Sequence, residues 1–327
     1  MNMKHKKLFP SGPDVSGLCL GTGLFGTDLS REAAFSQMDR FFEQGGNFFD
    51  TARVYADWLP NGHGASEKTL GAWIKERKCR DRVIVSTKGA HPDLKTMNVP
   101  RMSMGELRSD LEESLRVLGT DYIDVYFLHR DDVLRPMGEI PENLEIFRKE
   151  GKIRYYGCSN WTLPRMEEAE NAASRPGFSG FACNQIRFGL GDLNVKEIGD
   201  KTLVPMDSEI FFWHEKNKKP LMAYTSSCNG YFSKIRKGKS VSGDHEKVYN
   251  NPANQKLLEK LLQWEKDYNI ETAALVSAYV MAQDFPSVPI SSFSTIGQLD
   301  EVIRAADFDF PRELLNEIRD IKRFLWE

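Results

Sequence analysis

The sequence predicts an α/β protein, a single-domain (β/α)8 (TIM) barrel with extended βα loops spanning residues 1–327. Apolar, β-branched and aromatic runs of strand length alternate with amphipathic stretches, and eight strand candidates can be counted. No composition shift or Pro/Gly/Ser-rich linker divides the chain, whose length suits one barrel. Strands of this kind joined by right-handed crossovers close into a barrel. The alternative is an open doubly wound sheet. Gly21-Thr22-Gly23-Leu24-Phe25-Gly26 has the letters of its dinucleotide turn, but the run stops short of the next helix cap.

The first strand is read at Val15–Leu20, closed by Gly21-Thr22-Gly23. Ser30 caps a helix over 31–44 that Gly45-Gly46 ends. Strand two, Asn47-Phe48-Phe49, stops at Asp50, with Tyr55 five positions on. A loop over 56–65 carries Trp58 and His63, and a short helix begins near Ser66-Glu67. Strand three, Val83–Thr87, stops at Lys88. Ser103 and Glu106 form a capping box for a helix with Leu107, Leu111, Leu115 and Leu118 on one face, ended by Gly119. Strand four, Ile123–Leu128, stops at His129.

A helix over 140–150 leads to strand five, Tyr155–Cys158, which ends at Ser159-Asn160-Trp161. After a helix over 163–173 comes strand six, Phe181–Asn184, which ends at Gln185. A helix over 208–216 precedes strand seven, Leu221–Tyr224. A basic loop over 226–251 follows, with Lys234, Arg236, Lys237 and Lys239. Helices over 255–268 and 272–282 lead to strand eight, Ser287–Ile290. A helix over 296–306 follows, and then one from Pro311 that buries Leu314, Ile318, Ile321 and Leu325.

A parallel sheet keeps its chemistry at the carboxyl ends of its strands. Asp50, Tyr55, Lys88 and His129 should therefore meet at one mouth. An ammonium ~4 Å from a phenol, at an effective dielectric of ~20, stabilises the phenolate by on the order of 4 kcal/mol. That is up to ~3 pKa units before desolvation is subtracted, which would bring Tyr55 from about 10 towards neutrality. Asp50 would hold and aim Lys88, and His129 would donate to the same substrate oxygen. Such a set suits polarising a carbonyl. It contains no evident nucleophile, and one His with one Asp is too few for zinc, so no metal is expected. Taken singly, each residue also has an ordinary structural explanation; the conjunction carries the reading.

A net charge of −3 shows no basic excess, and no nucleic-acid partner is expected. Five cysteines without C-x-x-C spacing argue against a disulfide framework and for a reducing, cytoplasmic setting. The basic start, Met1 to Lys7, is not followed by an apolar run, and nothing approaches the ~18 apolar residues of a membrane span. Oligomeric state is open.

Taken together these residues resemble the aldo-keto reductase superfamily. The matching segments are Asp50-Thr51-Ala52 with Tyr55, Ser66-Glu67 with Leu70-Gly71, Lys88, Leu128-His129, Gly157-Cys158-Ser159-Asn160, Asn184-Gln185, Ala223-Tyr224, and Gln298-Leu299 with Glu301. The resemblance implies NAD(P)H-dependent reduction of an aldehyde, ketone or keto-sugar, with NADP(H) favoured and NAD(H) the alternative. It implies Tyr55 as proton donor, Lys88 and Asp50 as the groups that lower its pKa, and His129 as the orienting donor.

For the cofactor it implies Gly21, Thr22, Gly23 and Asp50 beside it and Ser159, Asn160 and Gln185 on the carboxamide. Tyr224 would stack on the nicotinamide. Thr225, Ser226, Ser227, Asn229 and Gly230 would lie at the pyrophosphate, and Ser292, Phe293, Ser294, Gln298 and Glu301 at the adenosine end. There are departures: Ala56 stands where a glycine usually follows the tyrosine, and Thr225-Ser226 where Ser-Pro is common. Val302 replaces an asparagine, and Ser292 and Gln298 replace Lys and Arg.

The loops suggest a substrate. The substrate candidates in the loops are Trp58, His63, Arg130, Asp131, Asp132 and Trp161, with Trp58, Arg130 and Trp161 foremost. Aromatic faces beside carboxylates suit a polyhydroxy or glycoside-like carbonyl. A second reading, from another class, is a nucleotide-binding redox-sensing subunit with little turnover.

Overall fold

The structure, a computed structural model, describes residues 3–9 and 11–322. Two compact units are present, Met1–Leu18 with Ile186–Glu327, and Cys19–Gln185. The chain opens with an antiparallel hairpin of β1 (His5–Lys7) and β2 (Asp14–Ser16). Eight parallel strands then form the barrel: β3 (Cys19–Gly21), β4 (Phe48–Asp50), β5 (Ile84–Gly89), β6 (Ile123–Leu128), β7 (Ile153–Ser159), β8 (Cys183–Arg187), β9 (Leu221–Tyr224) and β10 (Ser287–Ser291). They close in the order β10-β3-β4-β5-β6-β7-β8-β9, as the alternation predicts.

The helices are α1 (Arg31–Glu43), α2 (Ala65–Arg77), α3 (Met104–Leu118), α4 (Glu139–Lys149), α5 (Leu163–Ala173), α6 (Ser208–Asn217), α7 (Tyr231–Arg236), α8 (Gly243–Tyr249), α9 (Pro252–Tyr268), α10 (Thr272–Met281), α11 (Ile296–Ile303) and α12 (Arg312–Ile321). Their ends follow from side-chain chemistry. Ser30 accepts from the Ala33 amide at the start of α1. The Ser103/Glu106 capping box is formed at α3, and Gly119 closes that helix in the left-handed conformation.

Four expectations are corrected. The run Val15–Leu20 is two strands, because the chain bends at Gly17, whose amide bonds the Lys4 carbonyl at 3.0 Å. Strand six lies later than its apolar letters suggest, at Cys183–Arg187, so Phe181 and Ala182 precede it and Gln185 is a strand residue of the barrel wall, as Asn184 was expected to be. The stretch 226–251 is not a plain loop. Tyr231, Phe232, Val248 and Tyr249 are buried and anchor α7 and α8, and Tyr231 packs on Phe232 and Tyr249 at 5.2 and 5.7 Å. The helix over 296–306 ends at Ile303 and tightens into a 3-10 turn. Leu325, expected on the last helix, lies outside the described residues.

In the loop between β4 and α2, Ala56 has φ +74°. A left-handed L-residue carries a steric cost of roughly 1–2 kcal/mol that glycine avoids, partly offset by glycine's greater unfolded-state freedom. Ala56→Gly should therefore raise unfolding stability by roughly 0.5–1 kcal/mol, measured by urea denaturation. A neutral or destabilising result would contradict the strain.

Candidate active site

Register and side-chain alternation bring the first three groups together. Asp50 pairs with Ser86 across β4 and β5. Lys88, two residues beyond Ser86, therefore projects from the same face one step nearer the strand's carboxyl end. Its Nζ donates to Asp50 Oδ2 at 2.6 Å, to the Thr51 carbonyl at 2.7 Å and to Tyr55 Oη at 3.0 Å. Asp50 Oδ1 accepts from Ser86 Oγ at 2.6 Å and from Gln185 Nε2 at 2.9 Å. Asp50 and Lys88 are both 1% exposed, so this is a buried ion pair whose lone pairs and protons are taken up by neighbours.

Burial opposes the Lys88 ammonium, but Asp50 and Tyr55 outweigh it, and Lys88 titrates above its ordinary value. Tyr55 is half-buried. Burial, the largest influence, raises its pKa above 10; the Lys88 ammonium opposes this without reversing it. The expectation of a phenol titrating towards neutrality is thus corrected for the chain by itself, because desolvation exceeds the Coulombic gain. Tyr55 is a protonated phenol at pH 7, which is the donor form.

His129 follows β6, its amide bonding the Gly89 carbonyl at 2.8 Å. Its ring meets that of Tyr55 edge-on, with centroids 6.0 Å apart. Burial, then Arg130, His91, Lys88 and Arg53, hold its pKa well below 6.5, so it is a neutral imidazole able to donate from one nitrogen.

Around this centre Thr22 donates its amide and its hydroxyl to the Asp50 carbonyl at 2.9 and 3.0 Å. A Cβ on Gly23 would lie 3.7 Å from the Tyr55 ring. Ser66 Oγ bonds Thr22 Oγ1 at 2.7 Å and Thr51 Oγ1 at 2.8 Å, tying α2 to the ends of β3 and β4. Ser159 is in register with Gln185. Asn160, at φ +62°, donates Nδ2 to Ser159 Oγ at 3.0 Å and to the His129 carbonyl at 3.3 Å. The Gln185 amide, expected to be a carboxamide ligand, donates to Asp50 here.

The substrate candidates part company. Trp58 is 59% exposed. Arg130 is buried and donates Nη1 to the His129 carbonyl at 2.9 Å. Trp161 is fully buried, its ring 5.1 Å from that of Phe181, with the Arg165 guanidinium 5.5 Å from its centroid. Asp131 accepts from Arg165 at 2.8 and 3.1 Å, and Asp132 pairs with Arg135 at 3.5 Å. His63 bridges Asp57 and Glu113 at 2.9 and 2.8 Å, and these hydrogen bonds raise its pKa.

In the other unit, Tyr224 ends β9, and Thr225, Cys228, Asn229 and Gly230 all have φ between +52° and +71°. Such a cluster of left-handed residues marks a backbone shaped for a task. Ser226 Oγ bonds the Ile290 carbonyl at 2.7 Å and Ser291 Oγ at 3.1 Å. Ser292 is exposed and Phe293 buried. Gln298 Oε1 accepts from the Ser294 amide at 2.8 Å and completes a capping box with Thr295. Glu301 is held by Lys237 Nζ at 2.8 and 2.9 Å. Thr295-x-x-Gln298 was a sequence signal for that cap. His91, Ser86, Thr51 and Asp110 were missed as parts of the site; the His in Lys88-Gly89-Ala90-His91, just past a strand end, was the available clue.

Among the described residues no group of three or more His, Cys, Asp or Glu could hold a metal ion. Within the same residues no helix is long and apolar enough to cross a membrane. All five cysteines are free and buried.

A parallel barrel with a phenol, an ammonium, a carboxylate and a neutral imidazole at its strand ends has the frame of an oxidoreductase. Sequence comparison assigns it: the Aldo/keto reductase family profile matches residues 17–323, and the chain belongs to that family. It is 28% identical over 325 residues to the uncharacterized oxidoreductase YrpG of Bacillus subtilis, covering 98% of this chain and 96% of that one. It is 27% identical over 338 residues to norsolorinic acid reductase A of Aspergillus parasiticus, covering 98% and 81%. With the aryl-alcohol dehydrogenase [NADP(+)] of Phanerodontia chrysosporium it shares 29% identity over 222 residues, 62% of this chain and 55% of the other.

Proposed function

We propose that this protein, as one barrel domain, reduces a carbonyl to an alcohol with Tyr55 as proton donor. The observation that carries the reading is the hydrogen-bonded chain Asp50–Lys88–Tyr55, with the neutral His129 ring beside the phenol. Lys88 donates to Tyr55 Oη, so the phenol's own proton is left to point at an acceptor. His129 donates a second hydrogen bond to that acceptor and polarises it. As the carbonyl carbon becomes an alcohol carbon, its oxygen takes the Tyr55 proton. The phenolate left behind lies 3.0 Å from Lys88 Nζ, and water restores its proton.

The side chains present fit a nicotinamide. Ser159, Asn160 and Gln185 offer the hydroxyl and amide groups that complement a carboxamide, and Asn160 reaches its place through a left-handed backbone. Gly21, Thr22, Gly23 and Asp50 would lie beside it; in the other unit, taken by itself, Thr225, Ser226, Ser227, Asn229 and Gly230 after Tyr224 offer a left-handed backbone turn suited to a pyrophosphate. Ser292, Phe293, Ser294, Gln298 and Glu301 would take the adenosine end. When bound, the reduced nicotinamide supplies the hydride. NADP(H) is favoured, a reading supported by the NADP(+) dependence in the name of the fungal aryl-alcohol dehydrogenase. The five free cysteines support a cytoplasmic setting.

For substrate we place aryl and apolar carbonyls ahead of sugar-derived ones. Asp131 and Asp132, which a sugar would need, are engaged by Arg165 and Arg135, while Trp58, Val133 and Leu134 present exposed apolar surface. Loss of NADPH or NADH absorbance over a panel of aryl aldehydes, ketones and keto-sugars tests both points. Turnover of aryl aldehydes with NADPH is expected to lead. Tight nucleotide binding with negligible oxidation across the panel would favour the redox-sensing subunit instead.

A further inference from the structure

The His129 ring is buried, yet its Nδ1 has no hydrogen-bond partner among the described residues. A histidine that must aim one nitrogen at a reacting oxygen normally has its other nitrogen tethered. Here rings set the orientation. Tyr55 meets His129 at 6.0 Å and 73°, and His91 meets it more closely, at 4.8 Å and 68°.

His91 is itself held with unusual thoroughness. β5 ends at Gly89, where a Cβ would fall 2.0 Å from Tyr126 Oη, so the strand must approach β6 closely there. The next residue, Ala90, is left-handed at φ +60°, and this turns the chain. The strained turn is secured by the Ala90 amide donating to Asp110 Oδ2 at 2.9 Å. Asp110 in turn is buried between Arg53, at 3.2 Å, and Arg101, at 2.9 Å. Arg101 also reaches the His91 carbonyl at 3.5 Å. Finally, His91 Nδ1 lies 2.7 Å from the Pro92 carbonyl; a carbonyl can only accept, so Nδ1 carries the hydrogen and the ring's tautomer and rotation are fixed. A non-glycine residue in a sparsely populated conformation, over-determined by a buried carboxylate and two guanidinium groups, is where function is to be sought.

We propose that His91 is a positioning residue for the reduction. Its ring, turned towards His129 by Ala90 and locked by Pro92, packs against the untethered His129 imidazole and holds it in line with the oxygen that Tyr55 protonates. The proposal rests on the reading of Tyr55 and His129 given above. The ionisable groups acting on His129 are Arg130, His91, Lys88 and Arg53, with Tyr55 in ring contact.

The test separates ring from charge and the proposal from the reading beneath it. His91→Phe keeps an aromatic edge against His129; His91→Ala and His91→Leu remove it, the leucine preserving most of the volume should the alanine variant melt early. With NADPH and 4-nitrobenzaldehyde as probes, kcat/KM is expected to fall ~10- to 100-fold in the alanine and leucine variants, and to stay within about threefold of the parent in the phenylalanine variant. NMR of the His129 ring nitrogens in the full chain supplies a readout independent of turnover. The parent and His91→Phe should show one neutral tautomer, and His91→Leu a mixture or exchange broadening, with its titration moved up in pH. An unchanged His129 spectrum and unchanged kcat/KM in His91→Leu would overturn the proposal. Full activity in Tyr55→Phe would sink the underlying reading and leave the His129 spectrum to decide the positioning claim by itself.

Discussion

Tyr55→Phe should lower kcat by about 10³-fold while leaving the dissociation constant for NADPH within about twofold of the parent. The substitution removes one oxygen. That oxygen is 3.0 Å from Lys88 Nζ and is the one that gives up its proton in the proposed mechanism. The Asp50–Lys88 pair, 2.6 Å apart, survives the change, so the fold should not suffer. Transient kinetics measures the rate and fluorescence titration the affinity; a variant within tenfold of the parent would remove Tyr55 from its role. The pH profile of the parent gives a second check. In the proposed mechanism, reduction needs Tyr55 protonated and His129 neutral. The Tyr55 pKa is raised above 10 and that of His129 lowered well below 6.5, so kcat/KM should be flat from about pH 7 to 9 and fall only above about pH 10.

Lys88→Met should cost both rate and stability. Without the ammonium, the phenolate formed on proton transfer loses a charge at 3.0 Å, and a loss of ~10²- to 10⁴-fold in kcat is expected. The side chain is 1% exposed, and its removal leaves Asp50 buried with only Ser86 and Gln185 as donors. An uncompensated buried charge costs roughly 3–5 kcal/mol, and urea denaturation should show a loss of that size. The sign with pH follows from the raised Lys88 pKa. A cation bound more tightly in the folded state contributes stability that is complete below its unfolded value of about 10.4 and is lost as pH rises through the folded one. The gap between parent and Lys88→Met should hold from pH 7 to 10 and narrow above. A gap independent of alkaline pH would show that the lysine acts through packing alone.

Much of this was legible from local pattern. A strand that ends on a polar residue declares where its chemistry lies, and Asp50, Lys88 and His129 each terminate or follow an apolar run. Capping chemistry is equally local: Ser30, Ser103 with Glu106, and Gly119 delimit helices because the groups they satisfy are within a turn of them. The strand at Val15–Leu20 misled because apolar letters cannot announce a bend at Gly17 whose partner is the Lys4 carbonyl on a neighbouring hairpin strand. The basic stretch over 226–251 hid two short helices whose anchors, Tyr231, Phe232, Val248 and Tyr249, are too few to form a periodic pattern.

The site residues show the same division. Gln185 and Asp50 meet across 135 positions, so which partner the amide chooses depends on register around the barrel. Gln298 is absorbed by its own helix cap and Glu301 by Lys237, a pairing over 64 positions. The direction of the Tyr55 shift needed the depth of its hydroxyl, because burial and the Lys88 charge act oppositely and only the folded chain decides which is larger.

By itself, then, the sequence determined the barrel, the family, and the strand ends that carry Asp50, Lys88 and His129, since all three are written in period, punctuation and residue type over short spans. The tertiary structure decided protonation, partner choice and aim: Tyr55 held as a phenol, Asp50 shared among three donors, and His129 untethered beside His91. Each of these is a competition between desolvation and contacts from residues far apart in the chain, and such competitions are resolved only when the strands are in register.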